Sequence, residues 1–470
     1  MRSRTIKKAD GCPEKSIYIL DLNDIAKDNG MPPCDLEKDV KIDPSNGIAF
    51  LPEAPHMQPP AKSAPTTSAT HGAPWWIKQA IASSASVTDN MDEADVIFVY
   101  DLCYYQRWLG QVHTRGYVPT DQESEAGKHF MAGYKAVAQL DRWKVNDGAD
   151  FVFFDPHQGF TDGTSDSEFK QFLCQTSKKS IHIVSERGQL NLCQNYWDLH
   201  DKMVIAPYVA GSADVTKPLA HFKEPVLSMA ERKWLLHFRG GCLPYGFMFP
   251  NQTKIVTGKV ARHSANILLR NAGEDVDTHC TDRFLNGQHM SFSELVERMR
   301  QSKFCLMLPG DGASSRRTSE IIMTGCVPVW LGPSYATMPL ADVVDYKKSA
   351  LFFNVSQHSM WLDSEMIWEN PRDKRPNHIQ NPWFWMPDAD VKDVMINVET
   401  AMDVVHYLRA LPEEEVQSLL DATAVERQKF AYRTSLANTP SATSIIVSKM
   451  CSLAGSSGKE ESHVSDIDTA

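Results

Sequence analysis

Arg317 and Glu320 stand three residues apart, a spacing that puts both on one face of a helix. Either Arg316 or Arg317 can supply a guanidinium that forks onto a diphosphate. A carboxylate one turn along can accept hydrogen bonds from ribose hydroxyls. The residues just before them suit the same ligand. In the run GDGASS, Gly310 and Gly312 let the backbone come close to a phosphate, and Ser314 and Ser315 can donate hydroxyls or cap the helix. Walker A is excluded, because no Gly-Lys-Ser/Thr follows the glycines. Spacing alone leaves a second reading open, an ordinary turn carrying an exposed Arg–Glu pair.

The elements that must position these residues lie on either side. Phe304 to Leu308 is apolar and ends in Pro309, which predicts a buried strand. Arg316 to Thr324 has helical character and stops at Gly325. Val327 to Trp330 is a second apolar run. Strand, Gly/Ser loop, helix and strand make the βαβ unit of a parallel sheet. Ligands of such sheets sit beyond the carboxyl ends of the strands, where the helix N-terminus favours an anion.

The ordered run Ser302 to Leu306 (SKFCL), the 310–315 loop, Ser315-Arg-Arg-x-x-Glu320 and Gly325-Cys-x-Pro-Val329 resembles the signature of exostosin-family glycosyltransferases, with Ile321 where that family has Ala. Ser16 to Leu22, Glu93-Ala-Asp95 and Arg232-x-x-Leu235-x-x-Phe238-x-Gly240 are similar to further family segments. The resemblance implies an α/β chain of two Rossmann-like domains facing across a cleft, the GT-B type. It implies a UDP-sugar donor held by the C-terminal half, with Arg317 on the diphosphate and Glu320 on the ribose. The reaction it implies is transfer to a glycan acceptor, inverting and metal-independent, in the Golgi, with no permanently bound cofactor. Arg239, expected at the carboxyl end of a strand, is a candidate second phosphate cation or a surface arginine in a glycine turn.

Inversion needs a base to take the acceptor proton. Around the expected strand Phe151 to Phe154, Trp143, Gly148, Asp150 and His157 match the family, while Val145, Phe151 and Gln158 depart from it. Asp155 and His157, just past the strand, are the candidate base; a structural Asp-Pro turn is the alternative. The departures keep a second function open, a non-catalytic nucleotide- or glycan-binding module on the same fold. Tyr104, Tyr105 and Trp108 read as core packing or as a sugar-stacking platform.

At 470 residues and 42% hydrophobic content, the chain can hold two or three domains. The expected division is a polar leader over 1–15, an acceptor-side domain over 16–218 with a flexible insertion at 29–74, a nucleotide-sugar domain over 231–437, and a disordered tail over 438–470. Single helices are expected over Glu123 to Trp143, Val391 to Arg409 and Glu413 to Arg433. A net charge of −11 argues against nucleic acid as a partner. No apolar run reaches the ~18 residues of a membrane helix, and the N-terminus lacks the apolar core of a signal peptide. Ten cysteines contain no Cys-x-x-Cys, so a zinc site is not expected. Cys305 and Cys326 read as buried thiols, and pairing among the others stays open. Asp275-Val-Asp277, which has the form of a metal-binding pair, reads as part of a polar loop. Asn251-Gln-Thr253 and Asn354-Val-Ser356 have the form of glycosylation acceptors.

Overall fold

The computed structural model describes residues 12, 15–32, 34, 41–43, 48–50, 72–105, 125–155, 168–185, 202–210, 224–242, 245–249, 252–255, 257–281, 290, 292–308, 315–331, 338–356, 391–436 and 439–455. The N-terminal part runs β1 (Ile17–Asp21), α1 (Leu22–Asp28), β2 (Lys41–Asp43), β3 (Ile48–Phe50), α2 (Ala73–Ala82), β4 (Val96–Tyr100), α3 (Glu125–Val137), α4 (Asp141–Asn146), β5 (Phe151–Asp155), β6 (Ile181–Val184) and β7 (Met203–Ile205). Its five-stranded sheet has the order β1-β4-β5-β6-β7, paired in parallel throughout. β4 is buried along its whole length, which is why it reads as an unbroken apolar run, and β6 is buried throughout with His182 inside it.

The C-terminal part runs β8 (Trp234–Gly240), β9 (Tyr245–Phe249), β10 (Gln252–Ile255), α5 (Thr257–Leu269), β11 (Val276–Cys280), α6 (Phe292–Arg300), β12 (Ser302–Met307), α7 (Arg317–Thr324), β13 (Val327–Leu331), β14 (Leu351–Val355), β15 (Met395–Val398), α8 (Ala401–Ala410), α9 (Glu413–Glu426) and α10 (Ala442–Gly455). The six-stranded parallel sheet has the order β11-β8-β12-β13-β14-β15. Its residues alternate between two cores. Phe304, Leu306, Val327 and Val329 meet Ala265 of α5, Val404 of α8 and Leu420 of α9. Cys305, Met307 and Trp330 share the other core with Val296 of α6 and Ile321 of α7, and that core continues into the N-terminal sheet. Two parallel sheets, each with helices against it, make the two Rossmann-like domains of the GT-B type.

Several local expectations are corrected. Within the stretch 123–143, the described residues 125–143 form two helices, because Leu140 is extended (φ −59°, ψ 142°) between them. The stretch 391–409 is not one helix: β15 adds to the sheet first, and Thr400 restarts the chain with a capping box to Asp403. Glu413 to Arg433 is helical only to Phe430, ending in a tight 3₁₀ turn. The insertion 29–74 is tied down in part: β2 pairs with β3, and Cys34 is bonded to Cys103. Tyr104 and Tyr105 are buried core residues, and Trp108 lies outside the described residues.

The tail expected over 438–470 contains α10, whose Ile446, Val447 and Met450 are fully buried. It packs on α2, β4, β6 and β7, so it completes the N-terminal core from the far end of the chain. Cys12, from the expected polar leader, is buried and bonded to Cys451 of α10. Two more disulfides join Cys242 to Cys280 and Cys305 to Cys326, so the last two are not thiols. No described cysteine is free. Among the described residues, no helix is long and apolar enough to cross a membrane.

Candidate functional site

The β12–α7–β13 unit is pinned at one end. α7 stops at Gly325, whose φ of 74° is left-handed and whose N–H bonds the carbonyls of Ile321 and Ile322. Buried Arg232 donates to the Ser302 carbonyl at 2.5 Å, the Gly325 carbonyl at 2.8 Å and the Leu227 carbonyl at 3.2 Å. It thereby ties the start of β12 to the turn before β13, and the Cys305–Cys326 disulfide joins β12 to that turn again. The first turn of α7 lies at the opposite end of the unit, past the carboxyl end of β12.

There Arg317 Nη1 donates to Glu320 Oε2 in a close ion pair. Glu320 is fully buried. Arg316 Nε lies 3.6 Å from Glu320 Oε1, and that oxygen accepts no hydrogen bond among the described residues. Burial pushes the Arg317 pKa down, Glu320 works against that shift, and Arg316 adds to it. Ser315 Oγ accepts from the Arg317 backbone N–H and from Arg262 Nη2, each at 3.3 Å. Arg262 Nη1 donates to the Gly241 carbonyl at 3.3 Å, so this α5 residue bridges the end of β8 to the start of α7. Nothing in the spacing around Arg262 marks it as part of the site.

Arg239 is inside β8, not beyond its end, and it is 3% exposed, which rules out the surface reading. The sheet register sets Asp277 beside His237 and His279 beside Arg239, so these four side chains leave the same face. Arg239 Nη2 donates to Asp277 Oδ1 at 2.7 Å, and His237 Nδ1 donates to Asp277 Oδ2 at 3.0 Å. Asp277 is therefore a buried strand residue among cations, not part of a polar loop. Burial would raise its pKa, but the His237 hydrogen bond and the charges beside it outweigh that and hold the carboxyl well below the usual range. Burial pushes His237 down; Asp277 opposes that shift, while the charges of Arg317 and Arg239 add to it. His237 thus lies within reach of both arginines. Among the described residues, no group of three or more His, Cys, Asp or Glu is placed to hold a metal ion.

The structure brings Ser315, Arg317 and Glu320 together, with Arg239 on the neighbouring strand. Asp155 closes β5 in the other sheet. His157, Gly310, Gly312 and Ser314 lie outside the described residues. Guanidinium groups gathered at a helix N-terminus suit a ligand that carries or develops negative charge on oxygens.

The exostosin GT47 domain matches residues 11–360. The chain belongs to the exostosin GT47 glycosyltransferase family. A probable glycosyltransferase of Arabidopsis thaliana is 34% identical over 64 residues, 14% of this chain. Exostosin-2 of Mus musculus is 27% identical over 100 residues, 21% of this chain. The chain spans 13% of the length of each of these two relatives. Within the exostosin match lie both sheets up to β14, with Arg239, Asp277 and the whole β12–α7–β13 unit.

Proposed function

We propose that this exostosin-family chain transfers a hexosyl or pentosyl group from a UDP-sugar to a glycan acceptor, with inversion and without a metal ion. The observation that carries the reading is the Arg317–Glu320 pair in the first turn of α7, beside Ser315. In the reaction an acceptor hydroxyl attacks the anomeric carbon and gives its proton to a base. The bond from that carbon to the diphosphate breaks, and its electron pair leaves with the diphosphate. Arg317, Arg239 and Arg262 are the cations for that leaving group, with Gly310, Gly312, Ser314 and Ser315 lending N–H and hydroxyl donors. Glu320 takes the ribose. His157 and Asp155, on or just after β5 of the other domain, are the candidate base. The disulfides support passage through an oxidising compartment, consistent with the Golgi, and Asn354 of one glycosylation triplet is exposed on β14.

Calorimetry with UDP tests the donor site. Wild type is expected to bind UDP equally with and without EDTA. Arg317→Ala and Glu320→Ala should each weaken binding by about 1–3 kcal/mol, the loss of a charged hydrogen-bond partner. Unchanged affinity in both variants removes the assignment. His157→Gln is expected to lower the transfer rate; a full rate with every acceptor tested places the base elsewhere.

A further inference from the structure

Asp277 divides its two oxygens between two buried donors, Arg239 Nη2 and His237 Nδ1. The donors are 3% and 2% exposed. Among the described residues, Arg239 Nε and Nη1 and His237 Nε2 meet no hydrogen-bond partner. A guanidinium shut away from water with most of its N–H groups unused is unfavourable unless something else receives them. Arg239 stands next to Gly240 and Gly241 at the end of β8, and Arg262 joins Gly241 to Ser315 at the start of α7. Arg298 Nη1 also comes within 3.6 Å of Asp277 Oδ2, and His279 Nε2 within 3.5 Å of Oδ1. One carboxylate is therefore the shared counter-charge of a cationic cluster that adjoins the donor site.

We propose that Asp277 is the positioning residue of that site: it holds Arg239 so that Nε and Nη1 face the diphosphate, and it fixes the His237 ring with a proton on Nδ1. The proposal rests on the donor-site reading above. Asp277 itself touches no ligand. It keeps a buried cation in place before the ligand arrives, which is what electrostatic preorganisation requires. Without it, Arg239 would be a buried charge with Arg317 and Arg298 nearby and no fixed direction.

The test is UDP calorimetry on the full chain with Asp277→Asn, Arg239→Gln, the double variant and Arg317→Ala. Each single change at 277 or 239 should weaken UDP binding by about tenfold, and the double variant should fall within about threefold of the weaker single one, because both changes remove one arrangement. Additive losses, or wild-type affinity in Asp277→Asn, overturn the proposal. If Arg317→Ala weakens UDP and Asp277→Asn does not, the positioning role falls and the donor site stands. If no variant changes UDP binding, both fall. Should Asp277→Asn fail to fold, histidine-selective nitrogen NMR of the wild type decides. A His237 with its proton on Nδ1 at pH 7 supports the proposal; a ring protonated on Nε2 alone overturns it.

Discussion

Cys12 and Cys451 are bonded to each other although 439 residues separate them. Cys12 lies against the last helix, with its Sγ 3.6 Å from the Val447 carbonyl, and Lys15 Nζ donates to the Cys451 carbonyl at 2.6 Å. The two ends of the described chain therefore meet on the N-terminal sheet. The bond closes a very long loop in the unfolded chain, so Cys451→Ser should lower stability by about 2–5 kcal/mol. A thermal melt with and without reductant checks this. Reductant should lower the wild-type transition more than that of the variant.

Removing Arg317 alone should harm the fold more than removing the whole pair. Among the described residues, Arg317→Met leaves the fully buried Glu320 carboxylate with the longer 3.6 Å contact to Arg316 Nε, a loss of about 3–5 kcal/mol. Arg317→Met with Glu320→Leu replaces the pair with apolar side chains, and should unfold at a higher denaturant concentration than the single variant. Equal or lower stability in the double variant would show that Glu320 does not depend on Arg317.

Two buried groups of the N-terminal domain pull in opposite directions as pH changes. Burial pushes Asp101 up to about 7; the Tyr134 hydroxyl opposes this from Oδ2 and Asp21 adds to it. The folded chain then holds a proton that the unfolded chain releases above about 4, so this term falls as pH rises from about 4 to 7, by about 4 kcal/mol in all. Burial pushes His182 down to about 4, while its Nε2 donates to the Ser177 carbonyl. Its term is present above 6.5 and is lost as pH falls towards about 4, by about 3 kcal/mol. The two nearly cancel in wild type. Asp101→Asn should expose the histidine slope, so that stability rises steeply between pH 4 and 6.5 in urea titrations. A variant as flat as wild type refutes the assignment.

Gly325→Ala should destabilise by about 2–4 kcal/mol, from a positive φ and from contact. A Cβ there would lie 2.7 Å from Val226 Cγ1. Val226→Ala in the same chain should recover the contact part and leave the conformational part. Full recovery in urea unfolding would mean that the backbone at 325 is not held left-handed.

The sequence by itself determined the β12–α7–β13 unit. Its strands are buried on both faces, so they read as apolar runs; its helix ends at a residue that only glycine suits; and Arg317 and Glu320 are one turn apart. Each of these signals is local, and local signals survive in the order of residues. The tertiary structure decided what pairs with what. Arg239 and Asp277 lie 38 residues apart, and only strand register makes them partners. α10 looked like a tail because its partner surface comes from residues near the other end of the chain. β15 reads as helix in the sequence because the edge of a sheet is set by its neighbour, Phe352 to Val355, and not by its own period. Cysteine pairing followed the same rule: a disulfide depends on distance in space, and sequence spacing does not encode it.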